Sequence, residues 1–148
     1  MKATFIGQIQ GYSGKYKQVV YCQSRMFGTT YVRQNVYPTI TEHHVEQGSK
    51  TAAIFAVLPS EGYKEDMKDY LYRYNSLGSK EQRPIRTWAN LYMKLMFNMT
   101  VQDTSIDLRT ITRDYIYEHD LPCVSLKRAI EAGLLPKVST WERYINEI

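Results

Sequence analysis

Cysteine is scarce in this chain, and its spacing suggests neither a cross-link nor a metal. Cys22 and Cys123 stand far apart in the sequence. That argues against a disulfide framework or a zinc knuckle and makes a reducing compartment the default. Long apolar runs are missing as well. The longest, Ala52-Ala53-Ile54-Phe55-Ala56-Val57-Leu58, stops at Pro59, well short of the ~20 residues that span a bilayer. The opening Met1-Lys2-Ala3-Thr4-Phe5-Ile6 lacks the apolar core of a signal peptide. Neither membrane insertion nor export by a leader is expected.

Catalytic signatures are absent too. His43 and His44 are adjacent, so their side chains diverge on a helix or a strand and make a poor shared metal site. His119 lies in Glu118-His119-Asp120 and reads as an imidazole at a helix C-terminus. The stretch Gly11-Tyr12-Ser13-Gly14-Lys15-Tyr16 has glycines and a lysine but not the G-x-x-x-x-G-K-[ST] spacing of a phosphate loop. No enzyme activity, cofactor, metal or small-molecule substrate is expected.

The 148 residues suffice for one domain with a proper core. A hydrophobic content of 43% with 23% charged residues separates the chain from disordered sequences. Its 13 tyrosines are the compositional outlier. Tyr joins a large apolar ring to a polar tip, which suits either the outer shell of a core or a protein interface. The net charge of +4 is unevenly placed. Residues 1–50 hold six Lys/Arg against Glu42 and Glu46, whereas residues 101–148 hold six against eight acids. A basic N-terminal end of this kind can meet phosphates or an acidic protein neighbour.

The rhythm of the sequence changes near position 40. Before it, alternating runs carry Gly turns and aromatics, in Thr4–Ile9, Lys17–Cys22 and Thr30–Tyr37. After it, apolar residues recur at helical spacing. These patterns predict an α+β fold, with a three-stranded antiparallel meander over residues 1–40 packed on a bundle of about five helices over 48–148. The whole, 1–148, reads as a single domain. Gly11–Lys15 is expected as the first hairpin loop and Ser24–Gly28 as the second reversal, and Pro38 as the end of the third strand.

Thr39–Gln47 reads as a polar crossing. Gly48-Ser49 then offers a cap for a short apolar helix ending at Pro59, central in the core, although a buried strand is the other reading. Tyr63, Met67, Tyr70, Leu71 and Tyr74 form one stripe of a helix closed by Gly78. Ile85, Trp88, Leu91, Tyr92, Leu95, Met96 and Met99 form the next stripe, making an antiparallel hairpin with the first. Met93, Met96 and Met99 are core filler or an adaptable surface. Asp107 or Ser105 should cap a helix through Leu108, Ile111, Tyr115 and Ile116. Ser125 should cap Leu126–Ala132, with Gly133 and Leu134 closing it, and Ser139-Thr140-Trp141-Glu142 should open a last helix through Tyr144, Ile145 and Ile148.

Two resemblances bear on function. The segment Thr112–Val138, with Ser125-Leu126-Lys127-Arg128 and Gly133-Leu134-Leu135-Pro136, resembles the recognition helix of small excisionase-like and MerR-like winged-helix proteins. That resemblance implies Ser125, Lys127 and Arg128 at a DNA major groove. Two packed structural helices would read the same way. Gly7, Gly11, Gly14-Lys15, Val19-Val20-Tyr21 and Gly28-x-x-Tyr31-Val32-Arg33 resemble the opening of small uncharacterised structural proteins of tailed phages and prophages. This implies a docking segment with Lys15, Lys17, Arg25 and Arg33 as its basic face and Tyr21, Phe27, Tyr31 and Tyr37 as aromatic anchors. A small sheet has unprotected edges that invite strand addition.

The expected role is therefore a structural or connector subunit of a virion, binding copies of itself or other assembly proteins. The alternative is a small DNA-binding protein acting through 112–138. Virion and cytoplasm are the compartments this implies.

Overall fold

A computed structural model of the chain describes residues 2–5, 13–24, 28–77 and 84–148. It has the expected α+β layout, an antiparallel sheet followed by five helices. The chain divides into two compact units, Met1–Ile40 and Thr41–Ile148, close to where the sequence rhythm changes.

In the first unit, β1 (Lys2–Phe5), β2 (Gly14–Tyr16), β3 (Val19–Gln23) and β4 (Thr30–Gln34) form a sheet of order β1-β4-β3-β2. The sequence pattern holds the three longer strands; β2 is the addition. It comes from residues expected in the hairpin loop, because the tight turn sits at Lys17-Gln18 instead, with Lys17 in the left-handed region at φ 52°. A lysine there is not a usual turn signal, since left-handed positions in hairpins favour Gly, Asn or Asp. β1 lies beside β4 rather than its sequence neighbour. The second reversal is as expected: the amide of Gly28 donates to the carbonyl of Ser24 over 2.8 Å, with Gly28 at φ 61°. β4 ends at Gln34, before Pro38 is reached. Residues 6–12 and 25–27, which include Gly11, Arg25 and Phe27, lie outside the described residues.

The second unit holds α1 (Glu42–Ala56), α2 (Glu61–Ser76), α3 (Trp88–Gln102), α4 (Arg113–Glu118) and α5 (Leu126–Glu131). α1 begins earlier than the Gly48-Ser49 cap would have it. Thr41 is the N-cap, and its amide donates to His44 Nδ1 over 3.1 Å, a histidine taking the reciprocal place usually held by Glu or Gln. Nor is α1 central in the core. Ile54 is fully buried, but Ala52 and Ala56 face out and Leu58 is 73% exposed. Alanine and the helix end tolerate exposure, so a run of apolar letters overstated the burial.

α2 and α3 follow the sequence closely. Tyr63, Met67, Tyr70, Leu71 and Tyr74 are buried on α2; Leu91, Tyr92, Leu95, Met96 and Met99 are buried on α3. The methionines at 96 and 99 are core filler. Asn75 ties the end of α2 to the approach of α3: its Nδ2 donates to Ile85 O at 2.8 Å, and Ile85 N donates back to Oδ1 at 3.1 Å. Gly78 and the loop through Arg83 lie outside the described residues.

Two later expectations are corrected. Asp103 and Asp107 cap turns rather than a helix, accepting from the amides of Ser105 and Arg109 at 2.9 Å. α4 starts only at Arg113, after the N-cap Thr112, whose hydroxyl accepts from Tyr115 N. Short Asp and Ser side chains close local turns as readily as helix starts, which hid the difference. At the C-terminus, a single 3-10 turn, Trp141–Arg143, replaces the last helix. Thr140 sits at φ 58° without a side-chain cap. The tail then runs against residues 124–127: Lys127 N donates to Tyr144 O and Ile148 N to Val124 O, both at 2.9 Å. Those bonds satisfy the tail's backbone without a helix. Gly62 lets it approach, because a Cβ there would stand 3.1 Å from Asn146 Cγ.

Candidate functional site

The tyrosines of the helical unit are structural. Tyr63, Tyr70 and Tyr92 each turn a hydroxyl onto a backbone carbonyl, of Cys123 at 2.9 Å, Pro136 at 2.8 Å and Ile54 at 3.2 Å. Burial raises the pKa of each phenol, which keeps them neutral donors. Tyr144 donates instead to Asp69 Oδ2 at 2.7 Å, and burial followed by that hydrogen bond lifts its phenol to about 12. Asp69 also accepts from Arg73 Nε at 2.9 Å and from Arg143. Partial burial opposes ionisation of Asp69, but the hydrogen bonds from Tyr144, Arg73 and Arg143 outweigh it and hold its pKa at about 2.

The side chains raised by the sequence as possible catalytic groups stand apart in purpose. His44 caps α1. The ring of His119 stacks on Tyr115 with centroids 3.9 Å apart, and its Nδ1 lies 3.1 Å from Tyr115 O. Cys123 is buried, and that burial pushes its thiol up to about 12. Among the described residues no three of His, Cys, Asp and Glu gather as a metal would need. A hollow of about 310 Å³ lies over Phe97, Ile106 and Leu108, rimmed by Lys50, Thr100 and Arg109. Its cations are matched, Lys50 by Glu46 at 2.7 Å and Arg109 by Asp107 at 3.2 Å, and it holds neither His nor Cys.

The helix-turn-helix residues are engaged within the fold. Ser125 is 6% exposed, and its hydroxyl accepts from Arg128 N. Arg128 grips Asp120 with Nη1 at 2.6 Å from Oδ1 and Nη2 at 3.0 Å from the backbone oxygen. Lys127 is half-buried and its amide holds the tail. α5 itself is six residues long. Of the three residues, Ser125 is too deep to meet a base edge.

Of the N-terminal docking residues, those on described strands divide between two sheet faces. The register pairs Lys15 with Val20 and Val20 with Arg33, so Lys15 and Arg33 share one face across three strands. Side chains alternate along a strand, which puts Cys22 and Tyr31 on that face also. Tyr21 belongs to the other, with Tyr16, Val19, Gln23, Thr30, Val32 and Gln34, none of them charged. Tyr37 follows β4, where its hydroxyl accepts from Lys15 Nζ at 2.9 Å, and the lysine hydrogen bond lowers its pKa. Lys17, in the turn, lies over the Tyr16 ring at 5.5 Å. Lys15, Tyr21, Tyr31 and Arg33 lie on strands of the sheet, whereas Arg25 and Phe27 lie outside the described residues. Their division by face follows from the register, Lys15 against Val20 and Val20 against Arg33, which the turn at Lys17-Gln18 sets.

The fold thus defines an α+β protein made of a basic antiparallel sheet unit and a tyrosine-tied helical unit. No protein-family model, curated protein or solved structure matches the chain. Among the described residues, no helix is long and apolar enough to cross a membrane.

Proposed function

We propose that this chain is a structural subunit of a multi-protein assembly, joined to further copies of itself through the N-terminal sheet. What supports this reading is where burial stops. Every fully buried apolar side chain among the described residues lies between Ile54 and Ile148. In the sheet Thr30 is buried, but Val19, Val20, Tyr21, Cys22, Tyr31 and Val32 are only half-buried, and Tyr16 is 56% exposed. A small sheet needs an apolar cover on one face to hold together, and the uncharged face bearing Tyr16, Val19, Tyr21 and Val32 is the one to receive it. β1 and β2 are edge strands among the described residues, open to further pairing. The helical unit carries its own core and has no such need.

The likeness of the first third to structural proteins of tailed phages makes a virion the assembly that fits. The test is the native mass of the full chain, by light scattering and native mass spectrometry across a wide concentration range. Oligomers are expected, and Tyr16→Lys with Val19→Lys should reduce them to monomers while the helical circular dichroism is kept. A wild-type chain that stays monomeric throughout overturns the reading.

A further inference from the structure

The sheet face opposite the proposed assembly contact has a different chemistry. We infer that this face, built on Lys15, Arg33 and Tyr31 with Tyr37 at its margin, binds single-stranded nucleic acid. The inference stands apart from the assembly reading, because the two use opposite faces of the sheet.

The charge pattern is the first support. Residues 1–40 contain Lys2, Lys15, Lys17, Arg25 and Arg33 and no Asp or Glu. The remaining 108 residues nearly balance, so the chain's excess positive charge is concentrated here. A patch with no carboxylate has nothing to repel phosphate, and the release of counterions drives binding to it. Protein interfaces are depleted in lysine and use arginine instead; this unit holds three lysines and two arginines. Lysine serves as a point charge for phosphate.

Geometry is the second. Lys15 and Arg33 stand two strands apart, about 10 Å, with Val20 between them. Tyr31 lies two residues from Arg33 on the same face, about 7 Å along β4. Tyr37 is 77% exposed, and Lys15 Nζ sits 5.3 Å from its ring centroid as well as bonding its hydroxyl. Lys15 against the exposed Tyr37 ring, with Arg33 and the half-buried Tyr31 on the same face, suits a strand whose phosphates meet the cations while its bases stack on the rings. A duplex does not suit it. Four strands span about 14 Å between their outer axes, wider than the ~12 Å major groove.

The test titrates the full chain into fluorescein-labelled dT and rU oligonucleotides of about sixteen nucleotides, the upper end of ordinary site sizes. Anisotropy is read over a series of salt concentrations. Either sugar, or both, is expected to bind, with affinity falling as salt rises; which sugar binds tighter separates a DNA from an RNA ligand. Lys15→Glu with Arg33→Glu should weaken binding at least tenfold and reduce the log–log salt slope by about 1.4, the loss of two phosphate contacts at ~0.7 each. Tyr31→Leu should weaken it about tenfold with the slope unchanged, as loss of stacking rather than charge requires. Thermal melts of each variant establish that the fold is kept. Where Lys15→Glu/Arg33→Glu does not fold, Lys15→Gln/Arg33→Gln replaces it with the same expectation.

Four results overturn the inference. They are no binding at low salt, and binding indifferent to the Lys15 and Arg33 changes. The others are competition by duplex DNA as strong as by the unlabelled single strand, and equal competition by polyglutamate, which would make the partner an acidic protein surface.

Discussion

The phenol of Tyr63 donates to the backbone carbonyl of Cys123 across 60 residues of sequence, at 2.9 Å and wholly out of water. It ties the start of α2 to the 3-10 turn Pro122–Val124 that precedes α5. Tyr70 and Tyr92 make the same kind of tie elsewhere, so much of the tyrosine excess serves to knit helices to loops. Each ring supplies apolar area, and each hydroxyl donates to a main-chain carbonyl of another segment.

Removing one such hydroxyl should therefore cost more than removing an exposed one. Tyr63→Phe leaves the ring's packing intact but strands the Cys123 carbonyl, and a loss of about 1–3 kcal/mol is expected. Tyr72 is 79% exposed, and Tyr72→Phe should stay within about 0.5 kcal/mol of wild type. Urea unfolding followed by circular dichroism gives both values. Equal effects would mean that the hydroxyls contribute nothing specific.

Leu58 is held in a conformation that leucine resists. It lies at φ 56°, with Pro59 next in the chain and its own side chain 73% exposed. Left-handed backbone costs a non-glycine residue about 1–2 kcal/mol, and the following proline restricts it further. Its carbonyl accepts from Arg113 Nη2 at 2.7 Å, fastening the α1–α2 turn to the first turn of α4. Leu58→Gly should raise stability by about 0.5–1 kcal/mol, once the greater freedom of glycine in the unfolded chain is set against the strain relieved. Arg113→Ala should lower it. Thermal melts of the two variants and their combination would measure how far the arginine enforces the turn.

Legibility in the sequence followed burial. α2 and α3 were readable because their stripes are both apolar and buried, so the pattern of Tyr63, Met67 and Tyr70 records packing directly. α5 was readable from its ends: Ser125 caps it, and Gly133 at φ 76° closes it while Leu134 N reaches back to Ala129 O at 2.9 Å, a Schellman ending. The tail was not. Thr140 and Trp141 carry the letters of a helix start, but Tyr144 and Ile148 gain burial, and the backbone gains partners at Val124 and Lys127, only when the tail is extended. Tertiary pairing overrode a local signal. β2 was hidden by a turn at Lys17-Gln18 that lacks glycine. The division of Lys15 and Tyr21 between opposite faces depends on that register and was unreadable without it.

Asp69 should mark the acid limb of the stability profile. Its pKa is about 2 in the folded chain against 3.8 in the unfolded one. A depressed carboxylate contributes stability that is fully present above the unfolded value and disappears as pH falls through the folded one. Melting temperature should therefore drop as pH is lowered from about 4 to about 2, and Asp69→Asn should flatten that decline. Because Asp69 is partly open to solvent, the cost of this change at neutral pH is expected to be modest, about 1 kcal/mol. An unchanged acid limb in Asp69→Asn would show that Tyr144, Arg73 and Arg143 do not act through its charge.

Ser125 separates the two nucleic-acid readings the sequence raised. In the winged-helix resemblance its hydroxyl faces a base; in the fold it is buried and accepts the amide of Arg128 as an N-cap. Loss of such a cap costs about 0.5–2 kcal/mol. Ser125→Ala should thus lower the melting temperature and leave oligonucleotide binding at its wild-type value below the transition. Lys127→Glu with Arg128→Glu should behave likewise, with an added loss of stability because Asp120 is left without its guanidinium partner. Charge reversal at Lys15 and Arg33 should do the opposite, weakening binding at least tenfold with little change in melting, since both side chains are exposed. If binding instead follows Lys127 and Arg128, the contact belongs to α5, and the sheet loses its claim to it.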